Sequence, residues 1–260
     1  MRFLARLFKP KSARTLIQHD MHCHLLPGVD DGAQTFNDAL QCLQAMQALG
    51  YTGVTLTPHI YPEVFDNDEG DLRQTFADFQ RQIAQALPDF GLELGAEYFC
   101  CDSFRRRMHN APSSLLSTGS DGRTILIEFS SHASLHEAGL YVHDLMHHNL
   151  RPMLAHVERY PFLHDEAGLE QLQQWRSQGV LVQVNAGSLA GQYGQGVKTA
   201  ATLICSRQMV DAIGTDLHKA SQLSWVEQGW GIIESKHDWR RSFNESPFAL
   251  SGLSTGKGLS

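Results

Sequence analysis

Histidine and carboxylate residues recur in this sequence at spacings that suit a metal centre. Residues 20–24 read Asp-Met-His-Cys-His, and residues 216–218 read Asp-Leu-His. In an extended strand, side chains two apart point to one face. His22 and His24 can therefore serve one centre, as can Asp216 and His218. Asp30-Asp31-Gly32 follows the first run, and His59, Glu97, Glu128 and His156 stand further along. The chain carries 14 His, and neutral imidazole is the commonest nitrogen ligand of transition metals. Mixed imidazole and carboxylate donors without thiolate suit Zn, Mn, Fe or Mg, and not a structural Cys-rich zinc site.

These residues need a frame that gathers them, and the sequence alternates strand and helix nearly throughout. Residues 15–22 read as a first strand. Thr35 is a plausible N-cap for a helix in which Phe36, Leu40, Leu43, Met46 and Leu49 recur at helical spacing and which Gly50 ends. Further strands are expected at 53–57, 92–98, 124–129, 152–156, 180–185 and 209–215. Helices are expected at 71–86, 136–149, 165–178, 196–207 and 222–234, with 105–118 irregular or partly helical. A polar loop, 61–70, carries four acidic residues. About seven strand–helix units in one run argue for parallel strands with crossover helices, closed or nearly closed into a barrel. The 260 residues fit one such domain, here 15–242.

In barrels of this kind the active site lies where strands end and loops begin. Read in order, the strand ends carry His22 and His24, His59, Glu97, Glu128, His156, Asn185, then Asp216 and His218. Converging that many imidazoles and carboxylates without a cation would cost several kcal/mol per unpaired charge. Bound metal removes the cost. A ligand total near nine exceeds the needs of one ion and implies at least two. Ions about 3.5–4 Å apart could activate a water and clamp the oxygens of a phosphoryl group. Arg159, three residues past His156, could grip phosphate oxygens bidentately. Arg105-Arg106-Arg107 reads as a solvated basic turn.

The rest of the chain narrows the class. There are 28 acidic and 21 basic residues, a net charge of -7 that gives no support for nucleic acid as a partner. None of the five Cys forms a CxxC pair, which suits reduced thiols in a cytoplasmic protein. Cys23, between the first-strand histidines, should face away from the metals as a core thiol. No Cys is followed by the phosphate-cradling loop of a Cys-nucleophile phosphatase. Residues 1–14 form a basic leader without the apolar core of a secretory signal, and 243–260, rich in Ser and Gly, reads as a disordered tail.

Taken together, HxH, the LPGVDDG loop, TPH at His59, GAE at Glu97, the IEF strand with Glu128, AHVERY and TDLH resemble the PHP (polymerase and histidinol phosphatase) superfamily. Within it the match is to the bacterial tyrosine-protein phosphatases of capsular and exopolysaccharide loci, the CpsB/YwqE type, from about Asp20 to Trp230. The resemblance implies a distorted (β/α)7 barrel and a site of two or three divalent ions. Manganese is expected there, with Fe, Zn and Mg also compatible. Its implied ligands are His22, His24, Asp31, His59, Glu97, Glu128, His156, Asp216 and His218, and Arg159 matches the phosphate-binding Arg. Arg159, His59 and Asp216 are the expected catalytic residues. A second Arg, common in the family after the DxH motif, is missing, and Lys219 stands there as a point charge.

The implied activity is hydrolysis of phosphotyrosine by a metal-activated hydroxide. The implied partner is the phosphotyrosine tail of a bacterial tyrosine kinase of polysaccharide synthesis, through which the enzyme would touch the membrane only peripherally. The alternative is a small-molecule phosphatase of the same superfamily, such as one acting on histidinol phosphate. An amidohydrolase would usually want a metal-bridging Lys at a strand end, and no expected strand ends in one. A nuclease fits poorly with the charge. A non-catalytic metal-binding module would turn nothing over.

Overall fold

A computed structural model of the chain describes residues 18–236, 238 and 239. The expected leader 1–14 and tail 243–260 lie outside the described residues, as do residues 15–17 of the first expected strand. In chain order the elements are β1 (His19–Cys23), α1 (Phe36–Leu49), β2 (Gly53–Leu56), β3 (His59–Ile60), α2 (Glu69–Ala86), β4 (Gly91–Leu94), β5 (Glu97–Phe99), α3 (Asp102–Asn110) and β6 (Thr124–Glu128). There follow α4 (Leu135–His147), β7 (Arg151–Leu154), α5 (Glu166–Ser177), β8 (Leu181–Asn185), α6 (Ala186–Ala190), α7 (Gln195–Ser206), β9 (Ala212–Gly214) and α8 (Leu223–Ser235).

Local sequence sets the helix ends. Thr35 caps α1 in a reciprocal box with Asp38, and Gly50 closes the helix at φ 105°, a left-handed conformation that glycine adopts without steric cost. Ser134 and Glu137 form the same box at α4. Asp68 caps α2 and Asp165 caps α5 through backbone N–H groups. No described helix is long and apolar enough to cross a membrane.

All named strands pair in parallel, in the orders β1-β2-β4 and β3-β5-β6-β7-β8-β9. Two of the expected strands are each broken in two. The segment 53–57 with His59 becomes β2 and β3, and 92–98 becomes β4 and β5. Pro58, which has no N–H to give a ladder, sits at the first break. Hydrogen bonds from Gly95 N to the Leu56 carbonyl (2.8 Å) and from Glu97 N to the Pro58 carbonyl (3.1 Å) carry the chain across. The sheet curls so that its last strand meets its first. Cys23 bridges Leu217 in parallel, His24 N donates to the Leu217 carbonyl (2.9 Å) and Asp216 N to the His22 carbonyl (2.8 Å). Asp20, fully buried, accepts from Thr215 N (2.9 Å) and Thr215 Oγ1 (2.5 Å) across this seam.

Strand alternation then sorts the side chains. Ile125, Ile127, Leu154, Val182, Val184 and Ile213 face outward into the main core beneath the helices. Leu126, Met153, Ala155, Leu181 and Ala212 form a small inner cluster. Continuing two residues at a time along the inner face leads from Leu126 to Glu128, from Leu181 to Gln183 and Asn185, and from Ala212 through Gly214 to Asp216. The interior is apolar at one end and polar at the carboxyl ends of the strands.

Candidate metal centre and cleft

Most expected ligands come from the carboxyl end of a strand or the loop after it, and His59 and Glu97 begin the short strands that resume after β2 and β4. His22 ends the inner face of β1, and His24 follows it in the next loop. His59 opens β3, Glu97 opens β5 and Glu128 closes β6. His156, Asp216 and His218 lie just past β7 and β9. Their donor atoms fall into four overlapping groups, each with all atoms within 4.8 Å of one another. The groups are His24, Asp31, His59 and His218; His22, Glu97 and His156; His22, His24 and Asp216; and His59, Glu97 and Glu128. Together they contain all nine expected ligands. Glu97 is central, with Oε2 3.1 Å from His22 Nε2, 3.2 Å from His24 Nε2 and 3.3 Å from His59 Nδ1, and Oε1 2.9 Å from His156 Nε2.

The backbone is bent to aim two of these groups. His156 (φ 30°) and Asp216 (φ 51°) both hold left-handed conformations that non-glycine residues rarely adopt. Surrounding bonds fix them: His156 N donates to Gln183 Oε1 at 2.7 Å, and Asp216 N to the β1 carbonyl noted above. Gly32 lets its loop fold back against His24, just past β1, since a Cβ there would fall 1.9 Å from the His24 carbonyl oxygen.

The donors are set up for metal by what stands behind them. Gln183 Oε1 accepts from the His156 backbone, so the oxygen assignment is fixed. His22 Nδ1, 3.1 Å away, must then donate to it, which leaves Nε2 as a lone pair aimed at the centre. His24 Nδ1 donates to Asp30 Oδ2 (2.8 Å) and His218 Nδ1 to the Asp216 carbonyl (2.9 Å), again freeing Nε2. His22 Nε2 and His24 Nε2 face each other at 3.2 Å. His59 Nδ1 and His156 Nδ1 are buried without a hydrogen-bond partner. Asp216 Oδ2 is held by Asn185 Nδ2 (2.8 Å), Tyr193 OH (3.1 Å) and Arg159 (3.3 Å), while Oδ1 looks toward His22, His24 and His218.

The electrostatics point the same way. Burial disfavours a charged His24, yet the carboxylates of Asp30 and Glu97 outweigh it and hold the imidazole pKa well above its ordinary value. Burial and Arg159 both oppose charge on His156, and Glu128 and Glu97 still lift it to about 9. Glu97 is pulled well below the usual carboxylate range by His22, His59 and His156 against the cost of its burial. The cluster draws positive charge to itself. Protons or cations can supply that charge, and the donor set fits divalent cations.

The centre opens into a cleft of about 430 Å³. Asp31, with its side chain 57% exposed, stands at the opening, 3.4 Å from His218 Nε2 and 3.7 Å from His59 Nε2. Arg159 also lines the cleft, with its guanidinium carbon 5.0 Å above the Tyr193 ring. Tyr61, Phe65, Lys219 and Gln222 complete the wall. The sequence profile for capsular polysaccharide synthesis proteins of the CpsB/CapC type matches residues 18–238. The chain belongs to the CpsB/CapC family.

Among relatives, it is similar to the tyrosine-protein phosphatase CpsB of Streptococcus pneumoniae, at 23% identity over 86% of this chain and 92% of that one. It is similar to the tyrosine-protein phosphatase YwqE of Bacillus subtilis at 26% identity, over 80% of each chain. A solved structure from the pair YwqE of Bacillus subtilis and CpsB of Streptococcus pneumoniae, described as unique metal-dependent tyrosine phosphatases, superposes with a TM-score of 0.74. It is 24% identical and covers 86% of this chain and 90% of that one.

In this CpsB/CapC chain some residues take roles other than those expected. The polar loop 61–70 lines the cleft through Tyr61 and Phe65, but its last residues are placed elsewhere: Asp68 caps α2, and Glu69 is turned inward to Tyr98 OH (3.1 Å) and Arg107 (2.6 Å). Arg105–107 is not a turn but part of α3. Arg105 pairs with Asp144 and Arg107 with Glu69, so neither faces substrate. Cys23 does face away, buried against the Thr55 carbonyl. Asp30, Gln183 and Tyr193 were not singled out from the sequence. The doubled Asp30-Asp31 was the one available signal, and the two residues divide the work, Asp30 behind His24 and Asp31 at the opening.

Proposed function

We propose that this CpsB/CapC-family chain is a metal-dependent protein-tyrosine phosphatase. Its substrate would be the phosphotyrosine tail of a bacterial tyrosine kinase of capsule or exopolysaccharide synthesis. The observation that carries the reading is the set of four overlapping donor groups, two of them sharing Glu97, at the floor of a cleft that Arg159 lines. The names of its relatives support the same activity. We read the curled parallel sheet as a distorted (β/α)7 barrel forming one domain over 15–242, and the protein as cytoplasmic. The metal ligands would be His22, His24, Asp31, His59, Glu97, Glu128, His156, Asp216 and His218, holding two or three divalent ions, with manganese the first choice.

Divalent ions held there would activate water and neutralise charge on the phosphoryl oxygens. The protein's own part is positioning. Arg159, pinned between Asp216 and the Tyr193 ring, presents N–H donors to the non-bridging phosphate oxygens and follows them as charge builds. Asn185 and Tyr193 hold Asp216 so that one oxygen stays aimed at the imidazoles. The leaving tyrosyl oxygen takes a proton from water or a nearby imidazole that holds no metal. No cysteine lines the cleft, and Cys23 and Cys205 are buried, with burial raising both thiols far from the thiolate form.

The test is phosphate release from a phosphotyrosyl peptide by metal-stripped protein, with and without manganese. Activity that appears only with metal, and disappears in Asp216→Ala, supports the reading. Absence of release with any of Mn, Fe, Zn or Mg overturns it, and histidinol phosphate then becomes the substrate to try.

A further inference from the structure

The cleft is charged at its floor, but one side of its mouth is aromatic. Tyr61 and Phe65 both line it. They are the two ends of a tight loop, bridged as an antiparallel pair, with Phe65 N donating to the Tyr61 carbonyl (2.7 Å) and Tyr61 N to the Phe65 carbonyl (3.2 Å). Asn67 Nδ2 ties the loop's far side to the Val29 carbonyl (2.9 Å) and the His59 carbonyl (2.8 Å), and Glu63 N donates to Asp66 Oδ1 (2.8 Å). The loop is therefore held on both sides.

Each ring is locked by a neighbour. Tyr61 lies flat on Phe99, with centroids 3.8 Å apart and planes 7° apart. Phe65 lies parallel to the His59 imidazole at 5.3 Å and 8°. Both side chains stay half-buried, so each keeps surface open to the cleft. Two fixed rings at the rim of a cluster built for a phosphoryl group suit a ligand whose phosphate is joined directly to a flat apolar ring. A ligand with a flexible alkyl arm would leave those rings facing water. Rings fixed before binding lose little entropy on contact.

We propose that the Tyr61–Phe65 loop is the specificity element of this site, selecting aryl over alkyl phosphoesters by ring-on-ring contact. This rests on the phosphatase reading but can fail separately from it. A structural role, in which Phe65 merely props His59, would weaken all phosphoryl ligands alike. A specificity role changes the ratio between aryl and alkyl ligands.

The experiment measures binding of phenylphosphonate and of methylphosphonate to the manganese-loaded full chain by calorimetry, in wild type, Tyr61→Ala, Phe65→Ala and Tyr61→Phe. Hydrolysis of phosphotyrosyl and phosphoseryl peptides is followed in parallel. Wild type should favour the phenyl ligand, and each Ala variant should lose about 3- to 10-fold of that preference. Tyr61→Phe, which keeps the ring, should retain it. An unchanged ratio in both Ala variants, or an equal loss for both phosphonates, overturns the proposal, as does failure of both phosphonates to bind. If the phenyl preference behaves as expected but no ester is hydrolysed, the phosphatase reading falls and the aryl-selective site stands.

Discussion

At the scale of single residues, the site is a set of donors plus the groups that aim them, and the second set is the more easily overlooked. Gln183 never approaches substrate. Its oxygen takes two hydrogen bonds, from His156 N and from His22 Nδ1, and so fixes a backbone conformation and a tautomer at once. Gln183→Leu keeps approximate volume and removes both bonds, together with the one that Gln183 Nε2 donates to Asn185 Oδ1 (2.7 Å). Partners of this kind typically contribute 10- to 100-fold to metal affinity, so manganese binding measured by calorimetry should weaken by about that factor. The buried His156 N–H left without an acceptor should cost about 1–3 kcal/mol of stability, read from the urea midpoint. Unchanged manganese affinity would show that His22 orients itself. Strand alternation places the HxH and DxH side chains together, and His59, Glu97, Glu128 and His156 stand at expected strand ends, whereas the choice of Asp31 over Asp30 came only with the family resemblance. Gln183, Asp30 and Tyr193 were not legible. A Gln or Tyr becomes an orienting group only through a neighbour distant in the chain, as Tyr193 does with Asp216.

At the scale of elements, helix ends were easier to read than strand ends. Thr35 and Gly50 mark the limits of α1 by chemistry local to a few residues. The strands 53–57 and 92–98 looked continuous, because apolar runs do not record where a ladder changes partner; only Pro58 hinted at the break. The short helix α6 and the packing of α8 on it left no pattern that could be read either. Gly229 makes that contact possible, since a Cβ there would lie 1.9 Å from the Ala186 carbonyl oxygen. In an open helix, Gly→Ala gains about 0.8–1 kcal/mol in helix propensity. Here the obstacle is backbone and cannot rotate away, so the cost of forcing the helices apart, about 1–3 kcal/mol, should exceed the gain. Gly229→Ala should therefore lower the thermal midpoint, whereas Gly231→Ala on the same helix, where a Cβ meets nothing within 4 Å, should raise it or leave it unchanged. A rise in both would mean that α8 is free to shift on α6.

At the scale of the whole molecule, the donor cluster lies where the fold closes. The ligands come from seven separate stretches of chain, from His22 to His218, and converge where the last strand meets the first. Four carboxylates among them, in a chain already carrying a net charge of -7, repel one another unless cations or protons intervene. Imidazole protonation supplies that charge only partly, since His59 is pushed below its ordinary pKa by burial and by His24. Ions that bind the folded state alone stabilise it by mass action, about 2.7 kcal/mol for one site at a hundred times its dissociation constant. In a chain of this size each kcal/mol moves the midpoint by about 2–4 °C, so manganese at that excess should raise it by roughly 5–10 °C over chelator-treated protein. Asp216→Ala should lose most of that rise, because Asp216 Oδ1 is a donor in a group with His22 and His24. Calorimetric scans with and without chelator decide the matter. Equal midpoints would mean that the carboxylates are balanced by protons alone and that the ions, if bound, contribute to chemistry without holding the barrel ends together.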